Sequence, residues 1–267
     1  MKNNSSCFIS LIVPAYRQEK VIAQDLLRME KVLKMLGYPF EIIVVVDGTI
    51  DKTFENAKKV RSKFISVYGY ATNKGKGYAV RYGMVRSKGD IAGFIDSGMD
   101  LDPKGILTVI RRFLDENADI VIGSKRHILS KVNYPLKRKI ISLLGQLLIR
   151  VLFGLNVTDT QVGMKFFRKK VLEKVLPRLL VKRFAFDIEI LTVSHHLGFK
   201  KIYEAPVEIT YNFNSSVLSE GLFRVLFHTF IDTLAIYYRL AIRDYYDDGN
   251  KRKWKYDSEL DFNINVI

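Results

Sequence analysis

Residues 89–103 read GDIAGFIDSGMDLDP. The run 91–95 is short and apolar at consecutive positions, which fits a strand covered on both faces. It stops on Asp96, with Asp100 and Asp102 directly behind. A carboxylate closing an apolar strand is costly to bury unless it is paired or bound to a metal. Hard oxygen ligands on a loop suit Mg2+ or Mn2+ holding a diphosphate. The competing reading is a solvated acidic turn, with Pro103 opening the next helix.

Outward from this strand the chain alternates apolar runs with amphipathic stretches. Upstream, strands are expected at 8–13 (stopped by Pro14), 41–46 and 64–70. Helices are expected at 20–36, 52–62 and 77–87. Downstream, a helix is expected at 105–116 and a strand at 119–122. This alternation predicts an α/β chain, a Rossmann-like, mostly parallel sheet flanked by helices. In such sheets ligands bind beyond the carboxyl ends of the strands. Four strand ends then share one edge, and all four are polar: Pro14-Ala15-Tyr16-Arg17-Gln18-Glu19, Asp47-Gly48-Thr49-Ile50-Asp51, Asn73-Lys74-Gly75-Lys76-Gly77, and the Asp96 loop. Asp47 could accept hydrogen bonds from a base or ribose, while Asp51 has the position of a helix cap. The glycines and lysines of 73–77 suit backbone approach to a phosphate, although a plain basic turn reads the same way.

The second half changes character. Residues 136–153 are long, basic and amphipathic, and 166–189 look helical in parts. A late strand is expected in 201–211, a helical stretch rich in aromatics and arginines at 222–246, and a loose end at 251–267. Phe186-Asp187-Ile188-Glu189 places two acids in an apolar segment. The four histidines show no metal-ligand spacing.

Forty-three Lys and Arg against 28 Asp and Glu give a net charge of +15 over 267 residues. That surplus calls for an anionic partner: a phosphorylated substrate, an anionic membrane surface or nucleic acid. No zinc finger, helix-turn-helix or RNA-stacking motif is present, so nucleic acid is not the expected partner. The single cysteine, Cys7, excludes a disulfide scaffold and a thiolate cluster and fits a reducing compartment. The strongest candidate span, 222–242, is interrupted by Arg224, His228, Asp232 and Arg239, so a soluble or peripheral protein is expected.

Taken together, PAYRQE, VVVDGTIDKT, NKGKGYAV, GDIAGFIDSGMD, DTQVGMKFF and FAFDIEI resemble the family-2 glycosyltransferases over roughly 8–215. The polyprenyl-phosphate sugar synthases, dolichyl-phosphate mannose and glucose synthases, look most similar. The resemblance implies a GT-A fold over 1–215, followed at 216–267 by an amphipathic helical tail that could associate with a membrane. It implies transfer of a hexose, mannose or glucose, from a nucleotide-diphosphate sugar to a polyprenyl phosphate, with inversion. By motif, Pro14, Ala15, Tyr16 and Glu19 would line the nucleotide, Asp47 would hold base or ribose, and Lys76 would approach nucleotide and phosphates. Asp96 and Asp100 would hold Mg2+ or Mn2+. Lys125, Arg126, Arg138 and Lys165 would face phosphates. The second aspartate of the usual DxD motif is Gly98 here, so either Asp100 replaces it or metal binding is weaker. A phosphate acceptor is already anionic and needs no strong base; were the acceptor a hydroxyl, Asp187 would be the base candidate. A basic binding protein on a decayed scaffold is a further alternative. The basic amphipathic stretches 136–153 and 222–243 can lie in a membrane interface, which places the protein peripherally on a cytoplasmic face.

Overall fold

The computed structural model of the protein describes residues 7–98, 100–132, 136–209, 221–250 and 253–266; in 136–141, 222–223, 253–254 and 265–266 it describes the backbone only. In chain order the elements are β1 (Ile9–Ala15), α1 (Ile22–Met35), β2 (Phe40–Asp47), α2 (Thr53–Lys58), β3 (Ile65–Tyr70), α3 (Lys76–Val85), β4 (Ile91–Ile95), α4 (Gly105–Asp115), β5 (Ile120–Ser124) and β6 (Lys131–Val132). They continue as α5 (Leu136–Phe153), β7 (Met164–Arg168), α6 (Lys169–Val175), α7 (Phe186–His196), β8 (Ile202–Pro206), β9 (Glu208–Ile209), α8 (Leu222–Ala241), β10 (Lys253–Asp257) and β11 (Phe262–Val266).

Seven strands form one sheet in the order β3-β2-β1-β4-β7-β5-β8. All neighbours are parallel except β7, which runs antiparallel to both β4 and β5. The strand period of two sends Leu11 and Val13 of β1 to the side covered by α1 and α4, and Ile12 to the side covered by α3 and α7. Each such fully buried Val, Leu or Ile contributes about 1.5–3 kcal/mol relative to exposure. β1 does not stop at Pro14. Its pairing with β4 ends at Ile12, whereas its pairing with β2 runs to Ala15, so the proline lies where one flank of the strand is already unpaired.

The helix expected in 222–246 forms over Leu222–Ala241, and Ile236, Tyr245 and Tyr246 belong to the core that α3 and α7 build. Buried Glu189 of α7 ties it down. Its carboxylate accepts hydrogen bonds from the Tyr246 hydroxyl at 2.7 Å and Arg239 Nη1 at 3.0 Å, and from the backbone N–H groups of Leu180 and Val181. The end of the chain is not loose. β10 and β11 form an antiparallel hairpin whose turn buries Leu260. Its Glu259 accepts hydrogen bonds from the Lys74 ammonium and, at 2.6 Å, from the Tyr78 hydroxyl.

Candidate active site

The parallel strands β1, β2, β3 and β4 end on one edge, and the loops that follow them line a cleft of about 1460 Å³. Pro14, Ala15, Tyr16, Glu19, Asp47, Lys76, Asp96 and Asp100 all line it. Asp47, buried at the end of β2, organises the 73–76 loop: Oδ1 accepts the Lys74 N–H at 2.7 Å and Oδ2 the Gly75 N–H at 2.9 Å. Both bonds fix the loop from which α3 begins, and with it the root of Lys76. Glu19 does the same for the loop after β2, accepting the Lys52 N–H at 3.1 Å. Asp51 makes an Asx turn to the Thr53 N–H at the start of α2.

Lys76 joins the cleft to the interior. Its ammonium lies 2.9 Å from Asp96 Oδ1 and 3.0 Å from Oδ2, and 2.9 Å from Asp187 Oδ2. The other oxygen of Asp187 pairs with Lys165, whose ammonium also donates to the Val162 carbonyl. The result is a chain of alternating charge, Asp96–Lys76–Asp187–Lys165, with no net charge. Asp96 opens to the cleft, its side chain 41% exposed, while Asp187 is 1% and Lys165 0% exposed. Burial pushes the Asp187 carboxyl up, but Lys165 and Lys76 outweigh it and hold it below the usual range. Burial likewise opposes the charge on Lys76, but Asp187 and Asp96 prevail and raise it above an ordinary lysine.

Two expected roles, those of Lys165 and Arg126, are corrected here. Lys165 does not face phosphates; it sits behind Asp187, beneath the cleft floor. Asp187, the base candidate for a hydroxyl acceptor, has both oxygens engaged by lysines, which hold its carboxyl below the usual range. Arg126 turns away: it donates to the Thr158 carbonyl at 2.6 Å and to Ser142 of α5 at 2.6 and 2.9 Å, bracing that helix. Lys125 lines a smaller cavity of about 130 Å³ shared with Asp96, Asp100 and Gln161, its ammonium 3.5 Å from Asp159. The backbone of Arg138 is part of α5, and its side chain lies outside the described residues.

Asp96 and Asp100 line both cavities. Among the described residues no group of three or more His, Cys, Asp or Glu could hold an ion alone. Two carboxylates in a polar cleft nevertheless fit a hard cation that completes its shell with ligand phosphates. The only hydrogen bond the Asp96 carboxylate accepts from the described residues is that of Lys76, which leaves lone pairs for such an ion.

Gly98 has φ +115°, and its N–H donates to buried Asp25 at 3.0 Å. A Cβ there would stand 3.3 Å from Gln18 Nε2. The position therefore suits glycine, and Gly98→Asp is expected to cost about 1–3 kcal/mol of backbone strain. Thermal unfolding of the variant should show a lower midpoint, and a Mn2+ titration no tighter binding; a stabilised variant with tighter Mn2+ binding would contradict this account of the loop.

Sequence reasoning missed the opposite wall. Arg183 and Phe184, before α7, and Arg224, His228 and Asp232 of α8 also line the cleft. A signal existed: residues 224, 228 and 232 recur every four positions, one helical face.

The family model described as glycosyl transferase family 2 matches residues 10–176. A dolichyl-phosphate beta-glucosyltransferase of Trichomonas vaginalis is 30% identical over 255 residues, covering 90% of this chain and 77% of that protein. A dolichyl-phosphate beta-glucosyltransferase of Drosophila melanogaster is 30% identical over 215 residues, covering 74% and 65%. Among solved structures, mannosyl-3-phosphoglycerate synthase from Rubrobacter xylanophilus superposes with a TM-score of 0.68 at 13% identity, covering 98% and 87% of the two chains. Glucosyl-3-phosphoglycerate synthase from Mycobacterium tuberculosis, in complex with Mn2+, UDP-glucose and phosphoglyceric acid, gives 0.64 at 18% identity, covering 94% and 84%. The fold is thus the GT-A-like arrangement, and with the family model spanning more than half its length the chain belongs to glycosyl transferase family 2.

Proposed function

We propose that this glycosyltransferase moves glucose from a nucleoside-diphosphate sugar to the phosphate of a polyprenyl, dolichyl-type lipid, with inversion. The observation that carries the reading is the cleft at the sheet edge, where Asp96, Asp100 and Lys76 meet the nucleotide-side loops after β1 and β2. The activity named for the relatives supports glucose over mannose and a lipid phosphate over a hydroxyl.

In the transfer, an acceptor phosphate oxygen forms a bond to the anomeric carbon. The bond from that carbon to the donor's β-phosphate oxygen breaks, and the nucleoside diphosphate leaves with the electron pair. A dianionic phosphate has no proton to lose, which agrees with a cleft whose floor carboxylate, Asp187, is unfit to take one. Mg2+ or Mn2+ held by Asp96 and Asp100 would supply Lewis-acid stabilisation of the departing diphosphate. Lys76, kept charged by its two carboxylates, adds a fixed positive charge beside it.

Contact with a membrane is part of the proposal. No helix among the described residues is long and apolar enough to cross one. α5 exposes Leu143, Leu144, Leu147 and Val151, and the adjoining α8 exposes Phe227, Phe230 and Ile231, with Ile242 just past its end. Two neighbouring apolar faces with Arg150 among them suit an anionic lipid interface on the cytoplasmic side, where they would bring the cleft to its acceptor.

The test is transfer from labelled UDP-glucose and other common nucleotide sugars to polyprenyl phosphate, with Mg2+, Mn2+ or chelator. An organic-extractable product that needs the metal is expected, and Asp96→Ala should abolish both the product and the metal-dependent part of the nucleotide thermal shift. No such product with any of the donors, or a water-soluble product instead, would overturn the lipid reading.

A further inference from the structure

α8 presents two chemistries. Arg224 and His228 turn into the cleft, while Phe227, Phe230 and Ile231, on the next rows of the same turns, are exposed to the outside. Arg183 reaches the same wall from the loop before α7. Charge in the cleft is segregated. The sheet-edge loops carry five carboxylates, Glu19, Asp47, Asp51, Asp96 and Asp100, against Arg17, Lys20 and Lys76, the last engaged by two carboxylates. The α8 wall carries Arg183, Arg224 and His228 against one carboxylate, Asp232. Among the described residues Arg224 has no hydrogen-bond or ion-pair partner, and its side chain lines the cleft.

From this we infer that Arg183, Arg224 and His228 form a separate anion subsite on the α8 wall that takes the phosphate monoester of the acceptor, with the acceptor's apolar substituent leaving the cleft over Phe227 and Phe230. The inference rests on the lipid-phosphate reading for the source of that phosphate, but the subsite itself stands on the charge layout. A phosphate monoester carries about −1.5 to −2 at neutral pH and matches the guanidinium fork. Placing it on the wall opposite Asp47, Asp96 and Asp100 keeps two highly charged phosphate groups apart, each facing its own cations. The helix that grips the head also presents the larger apolar surface for the tail, Phe227, Phe230 and Ile231, against Ile50 on the sheet-edge side.

The experiment measures binding of farnesyl phosphate to the full chain loaded with UDP and Mn2+, by calorimetry, beside farnesol, glycerol 3-phosphate and inorganic phosphate. Arg224→Ala is expected to weaken farnesyl phosphate binding about tenfold to a hundredfold, the range for losing a charge-assisted pair. UDP affinity should change less than twofold. Arg224→Lys should recover part of the loss, and Arg183→Ala/Arg224→Ala should remove binding. Phe227→Ser/Phe230→Ser should weaken farnesyl phosphate but not glycerol 3-phosphate, which marks a lipid source. Equal Arg224-dependent binding of both phosphates, indifferent to the Phe pair, keeps the phosphate subsite and overturns the lipid source. Unchanged farnesyl phosphate binding in Arg224→Ala, or an equal loss of UDP, overturns the subsite. Because this readout needs no turnover, it is distinct from a failure of sugar transfer itself.

Discussion

Asp187→Ala is expected to lower the thermal unfolding midpoint by roughly 10 °C and to abolish measurable transfer. The reason lies under the cleft rather than in it. Lys165 is fully buried, and among the described residues Asp187 is its only carboxylate partner. Removing one member of a buried pair leaves an uncompensated charge and costs about 3–5 kcal/mol, and in a chain of this size each kcal/mol moves the midpoint by about 2–4 °C. Lys76 also loses one of its two anchors and is left to Asp96 alone. The pair Lys165→Met/Asp187→Leu separates the two consequences. An apolar replacement of both partners should restore most of the midpoint, whereas activity should stay low because Lys76 remains half anchored. Recovery of both together would mean that the buried pair has no part in placing Lys76. The network also fixes a pH dependence. Asp187 titrates below its ordinary value in the folded chain, so its contribution is present above about pH 4 and is lost as pH falls through the folded value. Lys76 titrates above its ordinary value, so its contribution is complete below about pH 10.4 and is lost only as pH rises through the higher folded value. Lys165 titrates below its ordinary value because burial outweighs Asp187, so its contribution rises with pH between that folded value and about pH 10.4. The stability from the network should therefore be flat only between the Asp187 limb and that rise, and an acid limb that is unchanged in Asp187→Ala would contradict the assignment.

How far the site was legible follows from where each residue's partner lies. β1, β2, β4 and β5 are runs of Ile and Val that need no information beyond themselves, and the carboxylates closing β2 and β4 announce the sheet edge. β7 was not legible as a strand. Its MKFFR sequence carries a lysine in the middle of an apolar segment, and what makes that lysine tolerable is Asp187, which α7 delivers from 22 residues further on. The same pairing bears on the functional reading: a lysine and an aspartate near the site look catalytic in a sequence, whereas in the fold they are buried and paired with each other. Arg126 is a similar case, its donors taken by backbone carbonyl and hydroxyl groups that no spacing reveals. The C-terminal hairpin was hidden by charge. Lys253, Lys255 and Asp257 alternate with aromatics at the period of a strand, but their pairing with Phe262–Val266 and the docking of Glu259 on Lys74 and Tyr78 are tertiary facts. α8 was legible as a helix, yet its position over the cleft depends on the Glu189 cluster. Sequence therefore exposed the wall that binds through strand ends and left the α8 wall unseen.

Gly163→Ala is expected to reduce kcat/KM by at least a hundredfold while leaving the fold in place. Gly163 opens β7 from the loop beside Asp96. The two backbones are fastened together by the Asp96 N–H donating to the Gly163 carbonyl at 2.8 Å. A Cβ on Gly163 would lie 1.9 Å from Asp96 Oδ2 and 2.2 Å from its Cγ. The backbone is held by that bond and by the β4–β7 ladder immediately after it, from Ile95 opposite Met164 onward. The carboxylate must turn away, and because Asp96 Cβ would lie 2.9 Å from the new methyl the two backbones must also part slightly; both changes separate the carboxylate from Lys76 and alter the aim of the proposed metal ligand. A hundredfold loss corresponds to about 2.7 kcal/mol of transition-state stabilisation, within the range of a lost electrostatic contact at a reacting group. Stability should fall by less than in Asp187→Ala, since Asp96 opens onto water and no buried charge is stranded. The Mn2+-dependent part of the nucleotide thermal shift should disappear with the activity. Activity within threefold of the parent would show that the loop absorbs the methyl group without moving the carboxylate, and that Asp96 is not held to the geometry on which the site depends.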